Sequence, residues 1–231
     1  MLIYGLHACE NAAKSGRRIF QIFISKGKLI PDWISDKYER YINIVDDLSE
    51  IIPQNAVHQG IAMEVEYKGN CDITTLKYAE QDCIVAILDG VTDPHNFGAI
   101  IRSAAGFGVT AVIISSKTSC KVNSTVAKAA SGGLEFVSII EVTNLTQAIK
   151  KLKEYGFWIV AFSERGEKQL SEIDLTGKIC LIFGAEGKGI RRLQMENADL
   201  VVKLPTCENF PTLNVSASAA VAFYECVRQQ R

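Results

Sequence analysis

The sequence lacks the residue groupings that mark a metalloprotein or a disulfide-bonded protein. Its seven cysteines are scattered with no CxxC pair, and its three histidines, His7, His58 and His95, lie far apart in the chain. Scattered cysteines are typical of reduced, mostly buried thiols in a cytosolic protein. We therefore expect no metal site, no disulfide framework and a cytoplasmic location.

Long apolar runs and a strong net charge are also missing. No apolar run approaches the roughly 20 residues that span a bilayer, and residues 1–9 lack the basic start of a signal peptide. We therefore expect no membrane partner. The formal net charge of −1 is weak evidence against a nucleic-acid enzyme. Charge is nonetheless local, since residues 14–28 and 188–192 are basic.

Periodicity predicts two domains joined by a linker. Residues 1–67 form a small unit, residues 68–82 are polar with little periodicity, and residues 83–231 form a larger unit. Hydrophobic residues make up 48% of the chain, which is enough for a sizeable core. In the small unit we predict helices over 6–14 and 33–42 and strands over 19–25 and 61–67.

The larger unit alternates strand-like and helix-like segments. Predicted strands cover 83–89, 111–115, 136–142, 157–162, 179–183 and 200–204. Predicted helices cover 97–105, 124–130, 145–155, 190–196 and 215–228. Such alternation is typical of an α/β domain with a parallel sheet and helices on both faces.

A glycine-rich loop follows the predicted strand 179–183, with the sequence GAEGKG over residues 184–189. The usual nucleotide-binding motifs are absent: no GxGxxG follows the strand 83–89, and Gly187-Lys188 is followed by Gly189 instead of Ser or Thr. Ligands bind at the carboxyl ends of parallel strands. The late loop therefore indicates an enzyme that surrounds its cofactor with backbone but is not a standard Rossmann protein.

Three segments carry a resemblance to a known family. They read DGVTDPHNFGAIIRSA over 89–104, LIFGAEGKG over 181–189, and LP over 204–205 with TLNVS over 212–216. In order and spacing they resemble the signature blocks of the SpoU/TrmH RNA 2′-O-ribose methyltransferases of the SPOUT superfamily. IYGLHA over 3–8 and HQGIA over 58–62 resemble the ends of that family's small L30e-like substrate-binding domain.

The resemblance implies a fold, a cofactor and partners. We expect a parallel-sheet α/β domain with a C-terminal trefoil knot, preceded by the L30e-like domain that binds RNA. S-adenosylmethionine would bind in the knotted loops of a homodimer whose active site is completed near the subunit interface. A knot would be an exception to ordinary connection rules.

The same resemblance implies catalytic residues. Arg102 becomes the main catalytic candidate, with Glu186 orienting Arg102 or the substrate from the same or the opposite subunit. Asn96 and Asn214 would order the site, although each stands where a helix begins and could instead be an N-cap. Thr212 replaces the serine of many relatives; it keeps the hydroxyl but adds a methyl group that restricts χ1.

Cofactor-binding positions are implied in the same way. Gly184, Leu204 and Leu213 match positions whose main-chain groups bind the adenosine part of the cofactor, and Ser216 opens the last helix beside them. An apolar side chain suits such positions, because the backbone makes the hydrogen bonds.

The substrate implied by the small domain is ribosomal RNA. We expect 2′-O-methylation of the ribose of a guanosine in 23S rRNA. We also expect the RNA to bind to the basic segment up to Lys28. Two alternatives stay open: a tRNA 2′-O-methyltransferase, which usually lacks the N-terminal unit, and a non-catalytic RNA-binding or ribosome-assembly protein on the same scaffold. The second predicts loss of Arg102, Glu186 or Asn214, and all three are present.

Overall fold

A computed structural model describes residues 1–34, 36–54, 56–66, 71–207, 209 and 212–231. The described residues form two β-sheets, each with its own buried core. A four-stranded sheet belongs to the N-terminal unit and a seven-stranded sheet to the C-terminal unit.

The N-terminal sheet has the strand order β1-β4-β2-β3. Strand β4 pairs antiparallel with β1 and β2, and β2 pairs parallel with β3. The elements of this unit are β1 (Leu2–Tyr4), α1 (Leu6–Lys14), β2 (Ile19–Ser25), α2 (Asp36–Glu39), β3 (Ile42–Val45) and β4 (Ile61–Val65).

The helix predicted over 33–42 was largely wrong. Among the described residues of that range, only Asp36–Glu39 is helical, and the chain then forms strand β3 along the edge of β2. Residues Ile42, Ile44 and Val45 are β-branched and suit a pleated strand, so pairing with β2 overrides the helical spacing. Residue 67, at the end of the predicted strand 61–67, lies outside the described residues.

The predicted linker 68–82 contains ordered structure. A 3₁₀ turn over Ile73–Tyr78 begins at Asp72, whose side chain accepts a hydrogen bond from Thr74 N–H at 2.7 Å. Ile73 and Leu76 in this turn are buried against the core of the larger unit. Residues 68–70 lie outside the described part of the chain.

The C-terminal sheet is parallel throughout its described pairings and has the order β7-β6-β5-β10-β8-β11-β9. Its strands are β5 (Cys83–Asp89), β6 (Ala111–Ser115), β7 (Ser138–Val142), β8 (Trp158–Phe162), β9 (Lys168–Gln169), β10 (Lys178–Gly184) and β11 (Leu200–Lys203). The helices are α3 (Pro94–Gly106), α4 (Ser124–Ala130), α5 (Leu145–Glu154), α6 (Arg192–Glu196) and α7 (Val215–Gln230). This confirms the predicted α/β class.

Strand β10 occupies the centre of this sheet. It pairs with β5 on one side and β8 on the other, although β8 precedes it in the chain, and β11 then pairs with the far side of β8. All residues of β5 are buried, and apolar clusters cover both faces of the sheet. The trefoil knot depends on the path through 204–214, which includes undescribed residues 208, 210 and 211, and it stays a prediction.

The two units are joined by a buried ion pair. Arg17 Nη1 lies 2.7 Å from Glu135 Oε1, and their side chains are 4% and 2% exposed. Ser15 Oγ donates to Glu135 Oε2 at 2.8 Å, and Arg17 Nε donates to the Glu66 carbonyl at 2.6 Å. Ala127 of α4 is buried in the core of the N-terminal unit. Packing and charge together therefore hold the N-terminal unit against the α4 region.

Replacement of Arg17 by Met tests this junction. The variant loses the guanidinium contacts of a buried carboxylate, and hydrogen bonds to charged groups contribute about 1.5–3 kcal/mol each. We expect the free energy of unfolding, measured by urea denaturation, to fall by at least that amount. Lys14→Met is the control, because it removes an exposed pair with Glu10 and should cost less than about 1 kcal/mol. Equal effects of the two variants would contradict the proposed importance of the junction.

Candidate functional site

Three chain segments meet at the carboxyl edge of the large sheet. Strands β5 and β10 end side by side, with Asp89 paired to Gly184. The turn after β5 leads into α3, the glycine loop follows β10, and the segment after β11 leads into α7. This edge is where the sequence predicts the site, and it is the usual ligand edge of a parallel sheet.

Glu186 joins the starts of two helices through hydrogen bonds. Its Oε1 accepts from Asn96 Nδ2 at 3.1 Å and from Asn214 Nδ2 at 2.6 Å. Asn214 Nδ2 also donates to Asn96 Oδ1 at 2.8 Å. The three side chains form a closed triangle at the first turns of α3 and α7, where the helix dipoles favour a negative charge.

Asn96 is free to join this triangle because another residue caps its helix. Asp93 is the N-cap of α3, and its carboxylate accepts from the N–H groups of His95 and Asn96 at 3.2 and 3.1 Å. Pro94 occupies the first turn, where its missing N–H costs nothing. The N-cap interpretation of Asn96 was therefore wrong, and its side chain bonds across to the glycine loop.

Asn214 both caps α7 and takes part in the triangle. Its Oδ1 caps α7 by accepting from Ser216 N–H at 2.9 Å and from Ser216 Oγ at 2.5 Å. Because this oxygen is committed to the cap, the amide nitrogen must face Glu186 and Asn96. The cap thus sets the orientation of the amide in the triangle.

The glycine loop folds tightly back on itself. Ala185 and Gly189 form an antiparallel bridge, with Gly189 N–H donating to the Ala185 carbonyl at 2.8 Å. A Cβ on Gly184 would lie 2.1 Å from the carbonyl carbon of Gly189 and 2.3 Å from the nitrogen of Ile190. Only glycine fits at position 184, because the loop backbone passes directly beside it.

A buried carboxylate anchors the far end of this loop. Asp89 is 1% exposed, and its Oδ2 accepts from Arg191 N–H at 2.8 Å while its Oδ1 accepts from Arg191 Nε at 2.7 Å. The guanidinium completes an ion pair at 2.6 Å. Sequence reasoning missed this pair; the signal was an aspartate closing an otherwise apolar strand.

The remaining predicted residues, catalytic Thr212 and cofactor-binding Leu204 and Leu213, lie on the segment between β11 and α7. Leu204 follows β11 and is half-buried, whereas Thr212 and Leu213 are exposed directly before the cap of α7. Leu213 is 45% exposed, which leaves its surroundings open to a ligand. The carboxyl edge of the sheet therefore carries all of the predicted site residues except one.

The exception is Arg102, which lies elsewhere on α3. It is exposed and lines a hollow with Asn11 and Phe136. From Asn96 it is six residues along the helix, a rise of about 9 Å and a turn of about 240°. Within the described part of one chain, no hydrogen bond or ion pair joins Arg102 to Glu186. Contact within one chain is therefore not observed, and contact between subunits stays a prediction.

The basic segment near the N-terminus is less available than its sequence suggests. Arg17 is buried in its pair with Glu135, Lys14 pairs with Glu10, and Lys26 pairs with Asp46. Arg18 and Lys28 are exposed. Arg17 is therefore not available to RNA, because its charge is used between the two units, and RNA binding by the rest of the segment stays a prediction.

Burial explains the state of most thiols. It raises the pKa of Cys9 and of Cys226 to about 12, and it also raises the pKa of Cys180. These groups stay protonated at neutral pH and are unsuited to nucleophilic chemistry.

Among the described residues, no cluster of His, Cys, Asp and Glu could hold a metal ion. The described helices are all too short or too polar to cross a membrane.

Replacement of Gly184 by Ala tests the tight loop. The added methyl group would overlap backbone atoms of Gly189 and Ile190, and such overpacking costs about 1–3 kcal/mol. We expect a lower melting temperature by calorimetry. Gly106→Ala is the matched control, because a Cβ there meets nothing within 4 Å and the backbone φ is not positive. A Gly184→Ala protein as stable as the control would contradict this reading of the loop.

Comparison with known proteins finds family matches over both units. The SpoU rRNA Methylase family matches residues 83–224, and the domain described as RNA 2′-O ribose methyltransferase substrate binding matches residues 2–69. The 23S rRNA (guanosine-2′-O-)-methyltransferase RlmB of Pseudomonas putida is 35% identical over 244 residues, covering 99% of this chain and 96% of that relative.

Two solved structures place the fold in the same group. The SpoU methyltransferase AviRb of Streptomyces viridochromogenes, solved in complex with AdoMet, has a TM-score of 0.84 at 19% identity, over 99% of this chain and 90% of that one. A TrmH/SpoU tRNA modifying enzyme of A. aeolicus has a TM-score of 0.58 at 28% identity, over 68% of this chain and 81% of that one. From the two family matches and the full-length relative, we conclude that the chain belongs to the SpoU rRNA methylase family.

Proposed function

We propose that this protein uses S-adenosylmethionine to methylate a ribose 2′-hydroxyl, that of a guanosine, in 23S rRNA. The observation that carries the proposal is the triangle of Asn96, Glu186 and Asn214 at the carboxyl edge of the large sheet. Support also comes from the Pseudomonas putida relative, which is named for that activity and matches along nearly the whole chain. A protein that acts on ribosomal RNA would work in the cytoplasm, where bacterial ribosomes are assembled.

The loops around the triangle fit this cofactor. Gly184 leaves no room for a side chain, and it stands beside loop backbone that can hydrogen-bond the adenosine part. Leu204 and Leu213 flank the same edge, and Ser216 lies at the first turn of α7. When bound, the cofactor supplies an electrophilic methyl group on a positively charged sulfur.

The chain's own residues then have to align the 2′-oxygen with the methyl group as the sulfur–methyl bond breaks, and the hydroxyl proton leaves to water. Alignment alone can supply up to about 7–11 kcal/mol of a barrier in model systems. Arg102 would bind the phosphate next to the target ribose and polarise its 2′-hydroxyl. A guanidinium keeps its proton in proteins, so Arg102 would act through its charge and paired N–H donors. Glu186, held by two amides, would orient Arg102 or the ribose, and Thr212, two residues before Asn214, would contribute a hydroxyl.

The distance between Arg102 and the triangle supports a homodimer. In a symmetric dimer, Arg102 of one chain would complete the triangle of its partner. An exposed apolar strip is available on α7, where Val221 and Tyr224 are 45% and 55% exposed and lie one turn apart on one face. Phe107, directly after α3, packs edge-on against Tyr224 with the ring centroids 6.3 Å apart. This strip would form the centre of the interface.

The N-terminal unit would select the RNA. Its exposed Arg18 and Lys28 can contact phosphates, which would make binding sensitive to salt. The tRNA alternative has less support, because the tRNA modifying enzyme of A. aeolicus matches only 68% of this chain. The non-catalytic alternative has less support because the triangle is complete.

Transfer of labelled methyl to unmodified 23S rRNA and, separately, to bulk tRNA tests the function. We expect label in a 2′-O-methylguanosine of the rRNA alone. Glu186→Gln keeps the shape but removes the charge, and it should lower kcat by at least about 100-fold, as the loss of a group that positions reacting atoms does. Glu196→Gln, an exposed surface glutamate paired with Arg192, is the matched control and should keep the wild-type rate. Label in tRNA alone would overturn the substrate assignment.

Mixing two inactive variants tests the shared site. Arg102→Ala and Glu186→Ala would each be inactive alone. If Arg102 serves the partner's triangle, a mixed dimer contains one fully intact site and regains activity. If both residues serve the same chain's site, every site in the mixed dimer carries a defect. Persistent inactivity of the purified mixed dimer would therefore rule out the shared site.

A further inference from the structure

Arg102 lies in a hollow at the junction of the two units. The hollow has a volume of about 280 Å³. Its walls come from α1 through Asn11, from α3 through Arg102, and from the turn after α4 through Gly132, Gly133 and Phe136. Both units therefore contribute to it, and none of the residues in the triangle at the carboxyl edge lines it.

Phe136 presents its ring in this hollow. The side chain is 68% exposed, although the residues on either side of it, Glu135 and Val137, have buried side chains. Single exposed aromatic residues are common, but this one stands beside an exposed arginine in a concave surface.

The turn that carries Phe136 is held in place on three sides. Glu135 is bound by Arg17 and Ser15 of the N-terminal unit, and Phe136 N–H donates to the Gly133 carbonyl at 3.0 Å. A Cβ on Gly133 would lie 3.2 Å from Arg102 Cα, so the turn packs closely on α3. Because the turn is already ordered, the Phe136 ring loses little conformational freedom when a ligand stacks on it.

The chemistry of the hollow suits an unpaired nucleobase. Single-stranded RNA is recognised by stacking of bases on aromatic rings and guanidinium planes, and by hydrogen bonds to base edges. Phe136 offers the ring, Arg102 the guanidinium, and Asn11 a side-chain amide, whose nitrogen also donates to the His7 carbonyl at 3.0 Å. The volume lies just below that of pockets for larger ligands, which favours a single base.

We propose that this hollow binds an unpaired base of the substrate RNA, at or next to the methylated nucleotide, by stacking on Phe136 beside Arg102. The proposal rests on the proposed function, since it places the base where Arg102 would meet the target ribose and phosphate. Phe136 is then a positioning residue that the family match does not assign. The ion pair between Arg17 and Glu135 would then also hold the turn that carries Phe136 in position for stacking.

Direct binding of unmodified 23S rRNA tests the proposal without requiring catalysis. Loss of one stacked base costs about 1–3 kcal/mol, which is about 5- to 150-fold in affinity. We expect Phe136→Ala to raise the RNA Kd by a factor in this range, and Phe136→Tyr, which keeps the ring, to restore it. Tyr78→Ala removes another exposed aromatic and is the matched control, with an unchanged Kd.

Three further readouts separate stacking from other roles. Phe136→Ala should raise the KM for RNA without changing the Kd for S-adenosylmethionine or the oligomeric state measured by light scattering. An RNA Kd within twofold of wild type, or a dimer that dissociates in step with the lost affinity, would overturn the proposal; the second result would make Phe136 a subunit contact. A wild-type chain that binds the RNA but transfers no methyl group would refute the proposed function, while the binding comparison would still decide the role of Phe136.

Discussion

The candidate site depends on the buried carboxylate at the end of β5. Asp89 binds both the backbone N–H and the side chain of Arg191, and so returns the chain to the sheet edge after the glycine loop. With Gly184 beside Asp89 in the sheet, both ends of the loop are fixed at neighbouring points. Buried charges are costly unless they are paired and hydrogen-bonded, so the loop has one well-determined path.

The triangle is a consequence of that path and of two helix caps. Asp93 satisfies the first N–H groups of α3, which releases the side chain of Asn96. Asn214 uses its oxygen for the cap of α7 and has its nitrogen left for Glu186. The carboxylate of Glu186 needs hydrogen-bond donors and the N–H groups at the helix starts need acceptors, and Asn214 meets both needs. Their orientation is set before any ligand binds, which is the form of preorganisation that favours catalysis.

The N-terminal unit contacts the C-terminal unit through a buried ion pair, and this contact shapes the surface of both units. The buried pair of Arg17 and Glu135 removes one cation from the surface that the RNA would otherwise meet. The same ion pair holds the turn that carries Phe136 close to α3 and Arg102. Under the proposed function, substrate selection and catalytic geometry would therefore be coupled through the junction, since a change there would move both.

The sequence by itself determined the parallel sheet, and it predicted a two-unit plan and the edge at which the candidate site lies. Those features follow from local patterns: apolar β-branched runs, helical spacing and a glycine loop at a strand end. It also pointed to Glu186, Asn96 and Asn214, through their resemblance to family blocks. The partly wrong helix over 33–42 marks the limit of such patterns, because pairing of β3 with β2 involves residues far apart in the chain.

Only the tertiary structure decided which groups meet. Asp89 and Arg191 are about a hundred residues apart, as are Asn96 and Asn214, and Arg17 and Glu135, and no local pattern links such pairs. It also separated Arg102 from the triangle, because six residues of helix rotate the side chain to another face. Contacts across the fold depend on how strands and helices are ordered in space, and hydrophobic periodicity carries no information about that order.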